Sequence, residues 1–440
     1  MQLMCHPPVK RLAALGVLLL AAGWQQVSTA GEKPGIRATC TDADPRTLLA
    51  QLGATSSCIE SGAALNPAAI FGISPDNITQ GHRVQQRWNG KDQVVISDMS
   101  AKILWNRAAA KYKTTLFHIR RAKVVVIENL NIETGDSDSR MYDTIHIENA
   151  NRVIVRNSRF AGSVRHYHLR FDNVRELILE NVEIAGVEYE GLPGFRGGGG
   201  IYFRSKPVKK SDMARYTAPA WVEISGCRIH DYTAGEAHRN HDGINLDSPG
   251  DALIHNCEIR NWGRDGEIAD AAIDVSYRLP KVPGDHQITV TGNRIENASF
   301  VKTPGFGPFT NTILWEANTF IDTQVADYHG GYSTVYRSNH FLLLSRDKFY
   351  RMWKQKTAGR TIFEGNTICS TKRLGMVYFM NDTGVASKAE LLSTRENSYY
   401  MQPPGRWLGG DRAQIADWNM WLAAGYDRGS TLAEPDLCPP

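Results

Sequence analysis

Apolar and polar residues alternate in short bursts along most of this chain. VVVIENLNI, from Val124, is followed by VIVRNSRF, LILENVEI, VEISGCRI, ALIHNCEI, ITVTGNRI, ILWEANTF, TVYRSNHF, TIFEGNTI and STRENSYY. Each carries period-2 alternation, then Asn or Gly at or beside a bend, then a large apolar or aromatic residue. Period 2 predicts strands rather than helices. A strand-bend-strand unit cannot bury its inner face alone, whereas stacked units can, and a recurrence of roughly 21–45 residues is a solenoid spacing. The pattern therefore predicts an all-β chain folded as a parallel β-helix (β-solenoid) of about ten coils with short helical caps.

A second strand precedes the first in most repeats: TLFHIR, TIHIEN, HLRFDN, GIYFRS, GINLDS and AIDVSY. Aligned, they put Phe117, Ile145, Leu169, Ile201, Ile244 and Ile273 in one inward column, and Ile119, Ile147, Phe171, Phe203, Leu246 and Val275 in the next. The residues between must then face outward. Asn293, Asn318, Asn339, Asn366 and Asn397 share another column. Asn tolerates left-handed backbone and can hydrogen-bond to its copy in the next coil. Cys227 and Cys257 occupy the same column and could stack as thiols or pair.

Open solenoid ends expose strand edges and need caps. PRTLLAQLG, after Asp44, reads as a helix over the first coil, and AQIADWNMWLAAGYDRGS as a helix stopped by Gly425. The expected organisation is a signal peptide over residues 1–30, an N-terminal cap region over 31–93, the β-helix over 94–400, and a C-terminal helical cap and tail over 401–440. Lys10 and Arg11, an apolar run too short for a confident span, and the small residues Ser28-Thr29-Ala30 form a secretory signal. The mature chain is expected in a periplasm or outside the cell, with no membrane attachment after cleavage. An even number of cysteines then remains, with Cys40 and Cys58 a candidate disulfide. The net charge is +4, with no long basic run, so nucleic acid is not an expected partner. A monomer is expected.

The N-x-[IF] bends, the Asn column and the terminal WNMWLAAGYDRGSTLAEPDL resemble the right-handed parallel β-helix proteins of the pectate-lyase-like superfamily from Val94 onward, which implies a right-handed parallel β-helix here. That resemblance implies polysaccharide lyases, uronate epimerases or glycoside hydrolases, with some adhesins and phage depolymerases. Fold alone does not choose among them.

The outward columns carry the chemistry. One reads His118, His146, Arg170, Tyr202, Asn245, Asp274. The next reads Arg120, Glu148, Asp172, Arg204, Asp247, Ser276. His168 lies a step before, and His241 and Asp270 sit where the chain enters the strand. Solvated strand faces favour Lys, Glu, Thr and Ser; these columns are rich in His, Arg, Tyr, Asp and Asn. Convergent titratable groups mark sites. Acting on a uronate at C5 requires a neutralised carboxylate, a base for the C5 proton and an acid. Arg170, Arg204 and Asn245 suit the first role, His241 or His168 the second, and Tyr202 or another His the third. His146 and Arg278 extend the binding strip. Asp247, Asp270 and Asp274 could instead hold Ca²⁺, which would neutralise the carboxylate itself. The expected partner is an acidic polysaccharide, cleaved by β-elimination or epimerised at C5.

Two alternatives stand beside this. NHDGINLDSP…ADAAIDVS also resembles the N-T-D-G and G-D-D-C region of polygalacturonase-type hydrolases, with Asp242 and Asp270 at the matching acids. The second Asp of the pair is Ala271 here, however, and the G-H-G and R-I-K motifs are missing. A non-catalytic carbohydrate binder would present aromatic platforms. Tyr202 is the only aromatic in the middle outward columns. The Glu148/Asp172/Arg204/Asp247 column also reads as a charge-compensating ladder, Asp242 as a turn former before Gly243, and His118 as plain surface.

Overall fold

A computed structural model describes residues 86–97, 100–103, 115–134, 141–188, 199–205, 221–233, 242–263, 271–277, 285–304, 311–328, 333–353, 360–380, 392–402 and 406–439, except 163, 347, 410–414 and 416. Strands dominate these residues and wind into a parallel β-helix. One twelve-stranded parallel sheet runs its length, from Gln86–Asn89 to Arg406–Gly409. The remaining strands pair in parallel with their equivalents one turn away. The expectation of about ten coils is corrected to twelve rungs in this sheet. Its first and last strands lie outside residues 94–400, where the repeat was expected to begin and end.

Register follows the apolar alternation. Phe117 pairs with Ile145, Ile145 with Leu169, Leu169 with Ile201, Ile201 with Ile244 and Ile244 with Ile273. All six are buried in one continuous core. A one-residue slip would exchange this column with the charged one, so burial fixes the register strongly.

The Asn column forms a ladder. Each amide nitrogen donates to the side-chain oxygen of the next Asn, at 2.9–3.0 Å from Asn293 through Asn397. Each side-chain oxygen also accepts a backbone N–H, as Asn366 does from Asn339 at 3.0 Å. The left-handed backbone falls one residue earlier than expected, at Gly292, Ala317, Ser338, Gly365 and Glu396. Asn339 makes four such bonds while buried. Asn339→Ala should cost at least about 4 kcal/mol, since each of the four net bonds contributes ~1 kcal/mol and orphaned partners add to the loss. Urea unfolding measures this; an unchanged midpoint would make the ladder incidental. Cys227 and Cys257 are buried free thiols, so of the two expected arrangements the stacked one holds.

The ladder ends at Asp427, which accepts from Asn397 at 2.9 Å, from the Tyr399 hydroxyl at 2.8 Å and from the indole of Trp421. Trp421 belongs to a helix, Trp418–Ala423, that is shorter than the sequence suggested. Asp417 caps its start and Gly425, at φ +89°, follows its end. A disulfide, Cys369–Cys438, ties the tail to the coils. The proposed signal, the first helix and Cys40 and Cys58 lie outside the described residues. Among the described residues no helix is long and apolar enough to cross a membrane.

Candidate functional site

The outward columns assemble as aligned. His118 pairs with His146, His146 with Arg170, Arg170 with Tyr202, Tyr202 with Asn245, Asn245 with Asp274 and Asp274 with Lys302. Adjacent rungs lie about 4.8 Å apart, so these side chains form one strip. Close backbone approach sets its entry. A Cβ on Gly200 would lie 2.4 Å from the Gly243 carbonyl oxygen, and one on Gly243 would lie 2.6 Å from that of Ala272. Only glycine fits such corners.

The strip has two parts. The earlier rungs hold an ion-pair network. Buried Asp172 accepts from His146 Nε2 at 2.7 Å, Arg170 Nε at 2.7 Å and Arg204 Nη2 at 2.7 Å. Burial raises the Asp172 carboxyl, but His146 and the two guanidiniums outweigh it and hold it down at about 2. Glu148 meets His118 Nε2 at 2.7 Å and Arg120 Nε at 3.2 Å. Burial again acts upward there and the cationic neighbours prevail, lowering its carboxyl. Charge compensation is therefore part of what this column does. His118 is inside the network rather than plain surface.

Tyr202 lies between the two guanidiniums, 6.0 Å from Arg170 and 5.8 Å from Arg204, measured to its ring. Burial pushes its phenol up to about 12, so it keeps its proton at neutral pH. It is also not the isolated aromatic of the alignment. It stacks on Tyr167 at 4.9 Å and meets His166 edge-on at 5.9 Å, while His166 stacks on Tyr142 at 5.0 Å. Tyr142, His166 and Tyr167 come from the first residues of their strands rather than from turns, beside a register shift where period-2 alternation is interrupted.

The later rungs hold a tighter cluster. Lys302 Nζ lies 2.9 Å from Asp242 Oδ1 and 3.2 Å from Asp274 Oδ2. Asn245 Nδ2 donates to Asp242 Oδ2 at 2.6 Å, and the Ala271 N–H donates to Asp242 Oδ1 at 3.0 Å. All four side chains are buried. Asp242 thus does more than shape a turn. Asp247, next along its strand, accepts from Ser248 Oγ at 2.9 Å. Sequence reasoning missed Lys302, because Phe300–Pro304 is bulged against the preceding rung and ends in Pro, and so does not read as a repeat strand.

His168 keeps its expected place in the register, between Tyr167 opposite Asp143 and Leu169 opposite Ile145, but it is not exposed. Its ring is fully buried, with Nδ1 3.1 Å from Thr144 Oγ1 and Nε2 3.1 Å from the Gly162 carbonyl. Burial depresses it to about 4, against the opposing pull of that carbonyl and Asp143. It is a neutral corner brace, unsuited to proton abstraction. His241, Asp270 and Arg278 lie outside the described residues.

His118, His146 and Glu148 also come close enough to suggest a metal centre. Arg120 already occupies Glu148, while Arg170 and Arg204 occupy the neighbouring Asp172. A dication there would face three guanidiniums, so the cluster reads as an ion-pair network. No family model, curated protein or solved structure matches this chain. The fold and the strip together define a parallel β-helix protein with a polar, ion-paired outer face.

Proposed function

We propose that the protein is an exported enzyme that acts on a uronate-containing polysaccharide by abstracting the C5 proton, leading to β-elimination or C5 epimerisation. It would belong with the pectate-lyase-like enzymes. The observation that carries this reading is the run of neighbouring rungs placing Arg170, Tyr202 and Arg204 directly beside the Asp242–Asn245–Asp274–Lys302 cluster. Arg170 and Arg204 are held by Asp172, so their orientation is fixed before substrate arrives. Preorganised guanidiniums suit a carboxylate whose charge grows as the C5 proton leaves. With His168 buried, His241 remains the base suggested by the sequence, one residue before Asp242. Tyr202, kept protonated by burial, suits the acid that gives its proton to the departing O4 oxygen or to the opposite face of C5. The disulfide supports export to an oxidising compartment.

Hydrolysis by a carboxylate pair needs one acid to carry a proton. Asp242 and Asp274 instead face one ammonium, an arrangement for two carboxylates. The stacked Tyr142–His166 and Tyr167–Tyr202 pairs favour a second reading, a carbohydrate-binding β-helix without catalysis.

The test is incubation with a panel of uronate polymers. A rise in ultraviolet absorbance from unsaturated uronate identifies a lyase. Solvent-proton exchange into intact polymer identifies an epimerase. New reducing ends without absorbance identify a hydrolase, and binding alone identifies the second reading. Arg204→Ala should raise KM roughly 10–100-fold, the loss of one charge-assisted contact. Initial rates across substrate concentrations measure this, and an unchanged KM would remove Arg204 from substrate binding.

A further inference from the structure

The acidic end of the strip invites Ca²⁺, with Asp247, Asp270 and Asp274 as its sequence-based ligands. The described residues do not fit that ion. Ca²⁺ takes six to eight oxygens at about 2.3–2.6 Å around one point. Between Asp242 and Asp274 that point is already held by the Lys302 ammonium, at 2.9 and 3.2 Å. The other Asp242 oxygen is engaged by Asn245 at 2.6 Å, and Asp247 Oδ1 accepts from Ser248 at 2.9 Å. We infer that Lys302 is the resident cation of this site, built into the fold where a divalent ion would otherwise sit, so that the Asp242–Asp274 pair needs no metal.

The fold gives this ammonium its place. Lys302 pairs with Asp274 across adjacent rungs, so its stem starts directly beside that carboxylate. Its four-carbon side chain reaches on to Asp242, which precedes the Ile244–Asp247 strand one rung further. The lysine is buried and so are both acids. Two buried carboxylates without a cation carry a steep desolvation penalty, which an ammonium on the next rung offsets. A covalently attached cation is present at every moment of folding and at any metal concentration. A metal site built from the same acids would fill only when the ion is supplied.

The inference concerns the residues of the proposed reaction, but it rests only on their ion pairs, and it is tested without substrate. The probes are Ca²⁺ alone and a chelator, added to the full chain and followed by calorimetric titration and thermal melting. The wild type should give the same Tm in millimolar Ca²⁺ and in chelator. Lys302→Met removes this ammonium from between the two acids. Its Tm should fall, and Ca²⁺ should raise it again by a few degrees in a concentration-dependent way. Lys302→Arg keeps a cation and should stay insensitive to Ca²⁺. Should Lys302→Met be recoverable only when Ca²⁺ is present, the substitution of metal for ammonium is shown more directly still. Stoichiometric Ca²⁺ binding by the wild type that Asp274→Asn abolishes would overturn the inference. So would a folded Lys302→Met protein whose Tm ignores Ca²⁺. Loss of activity on every uronate polymer with this pattern intact would sink the proposed reaction and leave the lysine's role standing.

Discussion

Asp274→Asn and His241→Ala should each lower turnover of a uronate polymer by roughly 10²–10⁴-fold, the range for removing an acid–base group or the charge that positions it. His241 is the base the sequence leaves once His168 is buried. Asp274 sits on the strip beside Asn245 and shares Lys302 with Asp242. Asparagine keeps the shape of Asp274 but removes its charge, leaving Lys302 paired with Asp242 at 2.9 Å. Circular dichroism and melting should therefore report an intact solenoid in both variants. Initial rates of unsaturated-uronate formation, or of proton exchange, measure the loss. Wild-type rates in both variants, on a substrate the enzyme turns over, would mean that the chemistry belongs to another face.

Period-2 alternation made the coil interior readable residue by residue. Ile244, Leu246, Ile273 and Val275 point inward because only one register buries them. The same logic brought Arg170, Tyr202, Asn245 and Asp274 onto one strip without reference to any relative. What stayed hidden lay mostly where alternation lapses. His166 lies at a register shift at the start of its strand. His168, in regular register just after it, is fully buried, bonded to Thr144 and the Gly162 carbonyl, which column membership does not reveal. Lys302 sits on a bulged, Pro-terminated strand that breaks the pattern. Cys369 and Cys438 are 69 residues apart, and no local signal pairs them. Ion-pair partners were equally illegible. Column membership says that Arg204 and Asp172 are neighbours, but only side-chain geometry shows Asp172 taking His146 and two arginines at once. Site chemistry can therefore be located from the pattern, while its protonation states depend on burial that the pattern does not carry.

Asp327→Asn should make the protein more stable at neutral pH and flatten its pH dependence between about 4 and 6. Asp327 shares the inward column of Val325, so its carboxyl lies inside the coil. Thr303 and Thr361 donate to it, as does the Tyr350 hydroxyl at 2.8 Å. Among the described residues no ion pair reaches it. Burial therefore pushes it up to about 6, only partly offset by the hydrogen bonds from Thr361, Tyr350 and Thr334. An acid raised above its unfolded value of about 3.9 binds more protons folded than unfolded across that interval, so its contribution to stability is full below pH 4 and is lost as pH rises through 6. A shift of about two units corresponds to about 3 kcal/mol. Asp172, held at about 2, acts in the opposite sense, but its contribution is lost only as pH falls below its unfolded value, outside this interval. Urea unfolding of wild type and Asp327→Asn at pH 4.5, 5.5, 6.5 and 7.5 isolates the Asp327 contribution as the difference between two curves. The curves should meet near the acid end and separate in favour of the variant as pH rises. Parallel curves would mean that Asp327 titrates like an exposed carboxylate, and that the coil interior tolerates its charge.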